Sequence, residues 1–350
     1  MKKSIVSLLL VLTAITIAYC QTEKRSPGAE KTFTNPVWDG ADPWLQKHGD
    51  DYVCCYSAEN SIFVSRSKKM TLRGEAKSIW KAPSSGWNRA CVWAPEIHYI
   101  GNRWYVYYTA GESGPPFIHQ RSGVLRSKTE DVFSEYEDMG MLFTGDNPVN
   151  PDSGVWAIDL TVLEYRDKLF AVWSGWIKNE KTDATPQHLF IAEMENPYTI
   201  KGKRVKISSP VENWETGGPL NLNEGPVVLK KDNNVFIVYS CRESWLADYK
   251  LGMLQLINPE GNLADPGNWS KKGPVFSGNS EVYGVGHCSF VKSPDKSEEW
   301  IIYHSKKSSA PGWQRDVRMQ PFTWNPDGTP NFGKPVPAGK KLNIPSGEGE

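Results

Sequence analysis

The 350-residue chain is long enough for one large domain or two ordinary ones, either with a full apolar core. Its 40 basic and 40 acidic residues cancel, which leaves no broad field for nucleic acid or an anionic membrane surface. The 15 Trp and 14 Tyr suit either a β-rich core or flat, hydroxyl-rich ligands.

Lys2 and Lys3 precede an apolar or small run from Ile5 to Ala18. That run is too short to span a bilayer comfortably, so residues 1–20 read as a secretory signal. Cys20 follows Ile17-Ala18-Tyr19 and resembles a lipoprotein box, in which the cysteine becomes acylated. Tyr19 stands where such boxes carry a small residue, so ordinary cleavage stays open. Residues 21–32 read as a polar leader, and a single domain is expected over 33–345. The remaining cysteines, Cys54, Cys55, Cys91, Cys241 and Cys288, show no paired spacing for a disulfide framework or a zinc site. Cys54, Cys55 and Cys241 lie in apolar runs and are expected as buried thiols.

The segments Asp51–Tyr56, Arg103–Tyr108, Leu169–Trp173, Val235–Tyr239 and Trp300–Tyr303 are β-branched or aromatic and bounded by turn residues, which predicts strands. Each follows another apolar strand and a turn, such as Ile100-Gly-Asn-Arg103 or Lys231-Asp-Asn-Asn234. Third strands are expected at Ile62–Arg66, Gly123–Arg126, Leu189–Glu193 and Gly252–Gln255. Fainter fourth strands fall at Ile79-Trp80, Met141–Phe143, Lys203–Ile207 and Pro274–Phe276. Five such units, with no long helical periodicity after the signal, predict an all-β five-bladed β-propeller. A β-sandwich is the alternative, but its strands would not come in five similar sets.

The first strand of each unit opens on a polar residue in an apolar or Gly/Pro context: Asp42, Glu96, Asp159, Glu224 and His287. The innermost strands of a propeller converge on the axis, so these side chains can meet in one pocket. Clustered carboxylates repel and are costly to bury, which a structural protein has little reason to accept. Glycosidic hydrolysis, by contrast, needs one carboxylic acid for the leaving oxygen and one carboxylate for water or the sugar. The bland readings stay open residue by residue. Asp42 before Pro43 fits a turn, Asp159 between Ile158 and Leu160 alternates toward solvent, Glu224-Gly225-Pro226 fits a loop, and His287 fits a core histidine.

At these positions the chain resembles glycoside hydrolase family 43, from about Phe33 to Pro337. The resemblance is carried by Asn35-Pro-Val-Trp-Asp-Gly-Ala-Asp-Pro-Trp44, Val92-Trp-Ala-Pro-Glu-Ile-His-Tyr99, Ala157-Ile-Asp-Leu-Thr161, Ile191-Ala-Glu-Met-Glu-Asn-Pro197, Asn223-Glu-Gly-Pro226 and Tyr283-Gly-Val-Gly-His-Cys-Ser289. It implies a five-bladed propeller that inverts the anomeric centre, with Asp42 as general base, Glu224 as general acid, and Asp159 tuning and orienting the acid. It further implies an arabinofuranosidase-like member acting on plant cell-wall arabinan or arabinoxylan. β-Xylosidase, galactofuranosidase and endo-arabinanase activities occur in the same family, and a non-catalytic sugar-binding propeller is the rival from another class. No cofactor is implied for the chemistry. His287 matches a histidine that in some members helps hold calcium or another ion near the axis through waters. Cys288 stands where relatives often have Asn, which leaves the local hydrogen bonding open. Arg318 matches a fifth-blade arginine that reaches the pocket. Trp44, Trp93 and Trp176, beside the strand heads, are candidate stacking surfaces, with Glu96 as a weaker sugar contact.

Overall fold

The structure, a computed structural model, describes residues 31–145 and 154–349. The expected signal, Cys20 and the leader up to residue 30 lie outside the described residues. Regular structure is all β, apart from one 3-10 turn at Pro266–Asn268 among the described residues. None of the described residues forms a helix long and apolar enough to cross a membrane.

Five antiparallel sheets form the blades of a propeller. Their inner strands are Trp44–His48, Ala90–Ile100, Ala157–Tyr165, Asn223–Lys231 and Tyr283–Lys292. Each turns tightly into a second strand, respectively Asp51–Ala58, Arg103–Gly111, Lys168–Gly175, Asn234–Cys241 and Glu299–Lys306. These second strands are nearly continuous apolar runs because they are covered on both faces by neighbouring blades. Ile237 and Tyr239, for example, pack with Val172 and Ile191 of the third blade, while Phe236 and Val238 pack with Ile301 and Tyr303 of the fifth.

Two features lie beyond what the hydrophobic pattern predicts. The third strand of the fifth blade, Arg315–Trp324, has as its outer neighbour the two-residue strand Trp38–Asp39 from the start of the domain, paired Trp38 to Val317 and Asp39 to Asp316. The first and last blades are thereby joined by hydrogen bonds, which leaves the ring no free seam. Thr32–Thr34 also pairs with Lys341–Asn343. Ordered contacts therefore run slightly past the expected edges of 33 and 345: Thr32 is already in a strand, and the Glu348 carboxylate accepts from the Met70 amide at 2.8 Å.

All five cysteines within the described residues are free thiols, and four of them, Cys91 being the exception, are buried.

Candidate active site

The five inner strands begin at the same end of the propeller, and four of the five polar residues expected at their heads, Asp42, Asp159, Glu224 and His287, gather there, helped by a recurring backbone device. In the second to fifth blades the pairing of inner and second strand slips by one residue, between Trp93 and Glu96, Ile158 and Thr161, Glu224 and Val227, and Gly286 and Cys288. A bulge of this kind rotates the strand locally and re-aims a side chain. Asp159 and His287 sit in the left-handed region at φ 54° and 43°, as does Asp42 at φ 49° just before its strand. Non-glycine residues occupy that region sparingly and mostly in turns, so its recurrence at three of the pocket residues marks a backbone held to place their side chains. Simple alternation would turn Asp159 away from both neighbours, whereas the bulge leaves Ile158, Asp159 and Leu160 all buried. At Gly225, φ is 53° and a Cβ would lie 3.1 Å from His287 Nδ1, so glycine meets both the conformation and the space.

The resulting pocket is about 660 Å3. Asp42, Asp159, Glu224, His287 and Arg315 contribute its polar groups at the strand heads, and Trp93, Phe117, Trp156 and Ile158 form an apolar wall from the second and third blades. Opposite stand Pro219, Leu220, Trp245 and Trp313 from the fourth and fifth.

Asp42 is surrounded by nitrogen. Its Oδ1 lies 3.1 Å from His304 Nδ1, 3.3 Å from His287 Nδ1 and 3.3 Å from Arg315 Nη1. Burial by itself would raise its pKa, but the Arg315 charge and the two histidines outweigh this and hold the carboxyl well below the usual carboxylate range. All these contacts fall on Oδ1, which leaves Oδ2 without a protein partner among the described residues.

Glu224 is in the opposite condition. Burial, reinforced by the Asp42 charge, pushes its pKa up to about 7, against the lowering effect of the Tyr249 hydroxyl, which donates to Oε1 at 2.9 Å. Asp159 is likewise raised to about 7 by burial and by the Glu224 and Asp42 charges, with His287 opposing. Its Oδ2 accepts from the Gly225 amide at 2.9 Å, which ties it to the residue after Glu224. Two carboxyls that hold protons near neutrality thus face one that stays ionised.

The other sequence expectations divide. Trp93 lines the pocket, edge-on to Phe117 at 4.9 Å between ring centroids. Trp44 does not. Its indole donates to the Ile97 carbonyl at 2.7 Å and packs between the first two blades. Trp176 is fully buried behind Trp156, the rings parallel and 4.5 Å apart, so Trp156 presents the surface expected of Trp176. Glu96 is 2% exposed and turned into the interior toward His98, 3.2 Å away, where burial raises its pKa. Arg318 is held in the fifth blade by Ser305 Oγ at 2.6 Å and the Val336 carbonyl at 3.1 Å. Arg315, at the start of the same strand, is the arginine that reaches the carboxylates.

No three His, Cys, Asp or Glu side chains among the described residues converge as direct ligands of a metal ion. His287 spends its amide on Ser240 Oγ at 2.8 Å and turns Nδ1 toward Asp42. The described residues therefore do not fit a directly ligated ion.

Comparison with known proteins agrees with this geometry. The family model for glycosyl hydrolases family 43 matches residues 33–330. A Streptomyces avermitilis protein named extracellular exo-α-(1→5)-L-arabinofuranosidase is 34% identical, covering 96% of this chain and 70% of its own length. A protein of the same name from Streptomyces chartreusis is 32% identical over 79% of this chain and 83% of its own. The crystal structure of an α-L-arabinofuranosidase from Lactobacillus brevis superposes with a TM-score of 0.79 at 32% identity, covering 88% of this chain and 98% of that one. With the fold, the acidic pocket and these matches in agreement, the chain belongs to glycosyl hydrolases family 43.

Proposed function

We propose that the protein is an inverting, exo-acting hydrolase that releases α-L-arabinofuranose from arabinan or arabinose-substituted plant polysaccharide. The observation that carries the reading is the opposed protonation of facing carboxyls: Asp42 is held ionised by Arg315, His287 and His304, while Glu224 is held protonated by burial. That is the state an acid–base pair must have before reaction.

In this reading Asp42 Oδ2 takes a proton from water, the water oxygen attacks the anomeric carbon, and Glu224 gives its proton to the leaving oxygen on the other face. The glycosidic bond breaks as the new bond forms, and the configuration inverts. An inverting pair stands about 6.5–9.5 Å apart to admit the water. Asp159 orients the acid through its link to the Gly225 amide, and the fraction of it that is ionised adds a charge that favours the proton on Glu224. No metal or cofactor is needed for any step.

The sugar assignment is supported by the two relatives and the structural neighbour named for arabinofuranose release. The signal-like N-terminus and the relatives named extracellular support export from the cell. Acylation at Cys20 would add a lipid anchor, which intact mass of the mature protein would reveal.

The test is proton NMR during hydrolysis of α-1,5-linked arabinotriose, alongside product analysis on linear arabinan. β-Arabinofuranose as the first-formed anomer, and arabinose as the sole early product, are expected. A first-formed α anomer would overturn inversion, early oligosaccharides would overturn exo action, and no release of arabinose from either substrate would overturn the sugar.

A further inference from the structure

The loop that joins second and third strands lies at the pocket end of every blade, and its length is uneven. In the first blade it is two residues, Glu59 and Asn60, between strands ending at Ala58 and starting at Ser61. In the second to fifth blades it spans 112–120, 176–187, 242–249 and 307–314. This loop is therefore shortest in the first blade, and the eight-residue loop of the neighbouring fifth blade stands beside it at the pocket end.

That loop carries Trp313, which is 58% exposed although it lines the pocket. A solitary exposed tryptophan needs no explanation, but this one is held in place. Its ring lies 5.2 Å from Trp245, and the guanidinium of Arg315 sits 5.6 Å from its centroid. The preceding Gly312 donates to the Trp245 carbonyl at 2.9 Å and accepts from Lys306 Nζ at 2.5 Å, while the Lys307 amide closes the loop on the Gln314 carbonyl at 3.0 Å. Much of the indole stays open to solvent, fixed at the mouth of the pocket, two residues from the arginine that contacts Asp42.

We propose that Trp313, backed by Trp245, is the platform for the sugar unit on the leaving-group side of the scissile bond and sets the preference for oligosaccharide over small glycosides. The proposal rests on the arabinofuranosidase reading above. A terminal sugar whose anomeric carbon lies among Asp42, Asp159 and Glu224 fills the floor of the pocket, against the buried wall of Trp156 and Ile158. The next unit then lies at the mouth. An indole already fixed there binds a sugar face without the entropic cost of ordering a loop.

The experiment compares kcat/KM for α-1,5-arabinotriose and for methyl α-L-arabinofuranoside in the wild type, Trp313→Ala and Trp313→Phe. Alanine is expected to lower the value for the trisaccharide about tenfold, mainly through KM, and that for the methyl glycoside by less than about threefold, with phenylalanine recovering most of the loss. Equal losses on both substrates, or no loss on the trisaccharide, would overturn the platform. A wild type that cleaved neither substrate would overturn the arabinofuranosidase reading itself. An active wild type with an indifferent alanine variant would overturn the platform alone.

Discussion

The Tyr249 hydroxyl donates to Glu224 Oε1 at 2.9 Å, while its ring lies parallel to His304 at 5.4 Å between centroids. His304 in turn touches Asp42, so one aromatic stack supports both the acid and the base. Gly286 makes this possible, because a Cβ there would stand 2.2 Å from the Tyr249 ring. The hydroxyl favours ionised Glu224, so removing it raises the pKa of the acid. In the wild type, activity should fall as pH rises through about 7, where Glu224 loses its proton. In Tyr249→Phe this alkaline limb should move to higher pH, with kcat several-fold lower because the acid is less well fixed. A kcat/KM profile from pH 5 to 9 checks it, and an unmoved limb would show that the hydroxyl only fills space.

Asp42→Asn and Glu224→Gln should each lower turnover of arabinotriose by several orders of magnitude with the fold intact by circular dichroism. Substrates with good leaving groups separate the two roles. A 2,4-dinitrophenyl arabinofuranoside departs with little need of a proton, so it should restore much of the rate to Glu224→Gln and little to Asp42→Asn. Restoration in the reverse order would exchange the two assignments.

Arg315 is the largest of the opposing charges that keep Asp42 ionised against burial. In Arg315→Ala the base should take up a proton at higher pH, so the acid limb of kcat/KM moves upward. Arg315→Lys should recover part of the shift, because the charge returns without the planar fork. An acid limb that stays in place in the alanine variant would assign the low pKa of Asp42 to the histidines.

How far the sequence reached is visible in these same residues. The polar strand heads stood out because Gly and Pro flanked them in an apolar setting; Asp42, Asp159 and Glu224 do lie within two residues of a strand start, whereas His287 is the fifth residue of its strand and Glu96 the seventh of its own. What alternation could not reveal was the aim of Asp159, since period two holds only for an unbulged strand. Arg315 was missed for a geometric reason. Strands rise about 3.3 Å per residue, which puts Arg318 roughly 10 Å further from the pocket end. Trp156 lost to Trp176 because the two rings stack, and only depth decides which faces the cavity. The closing strand Trp38–Asp39 is too short to carry any period at all.

The raised pKa of Glu224 also makes the site a cost to stability, with a definite sign. The unfolded glutamate titrates near 4.5 and the folded one near 7. Between those values the unfolded chain has released a proton that the folded chain keeps, so folding stability is fully present below 4.5 and is lost as pH rises through 7. The gap of about 2.5 units corresponds to about 3 kcal/mol at pH 8. Glu224→Gln keeps the shape and a partner for Tyr249 but has no charge to desolvate. Its Tm should therefore exceed that of the wild type by several degrees at pH 8, and the difference should shrink toward pH 4.5. Thermal unfolding of both proteins at the two pH values reads this directly, and an equal difference at both would mean that Glu224 is not held protonated in the folded site.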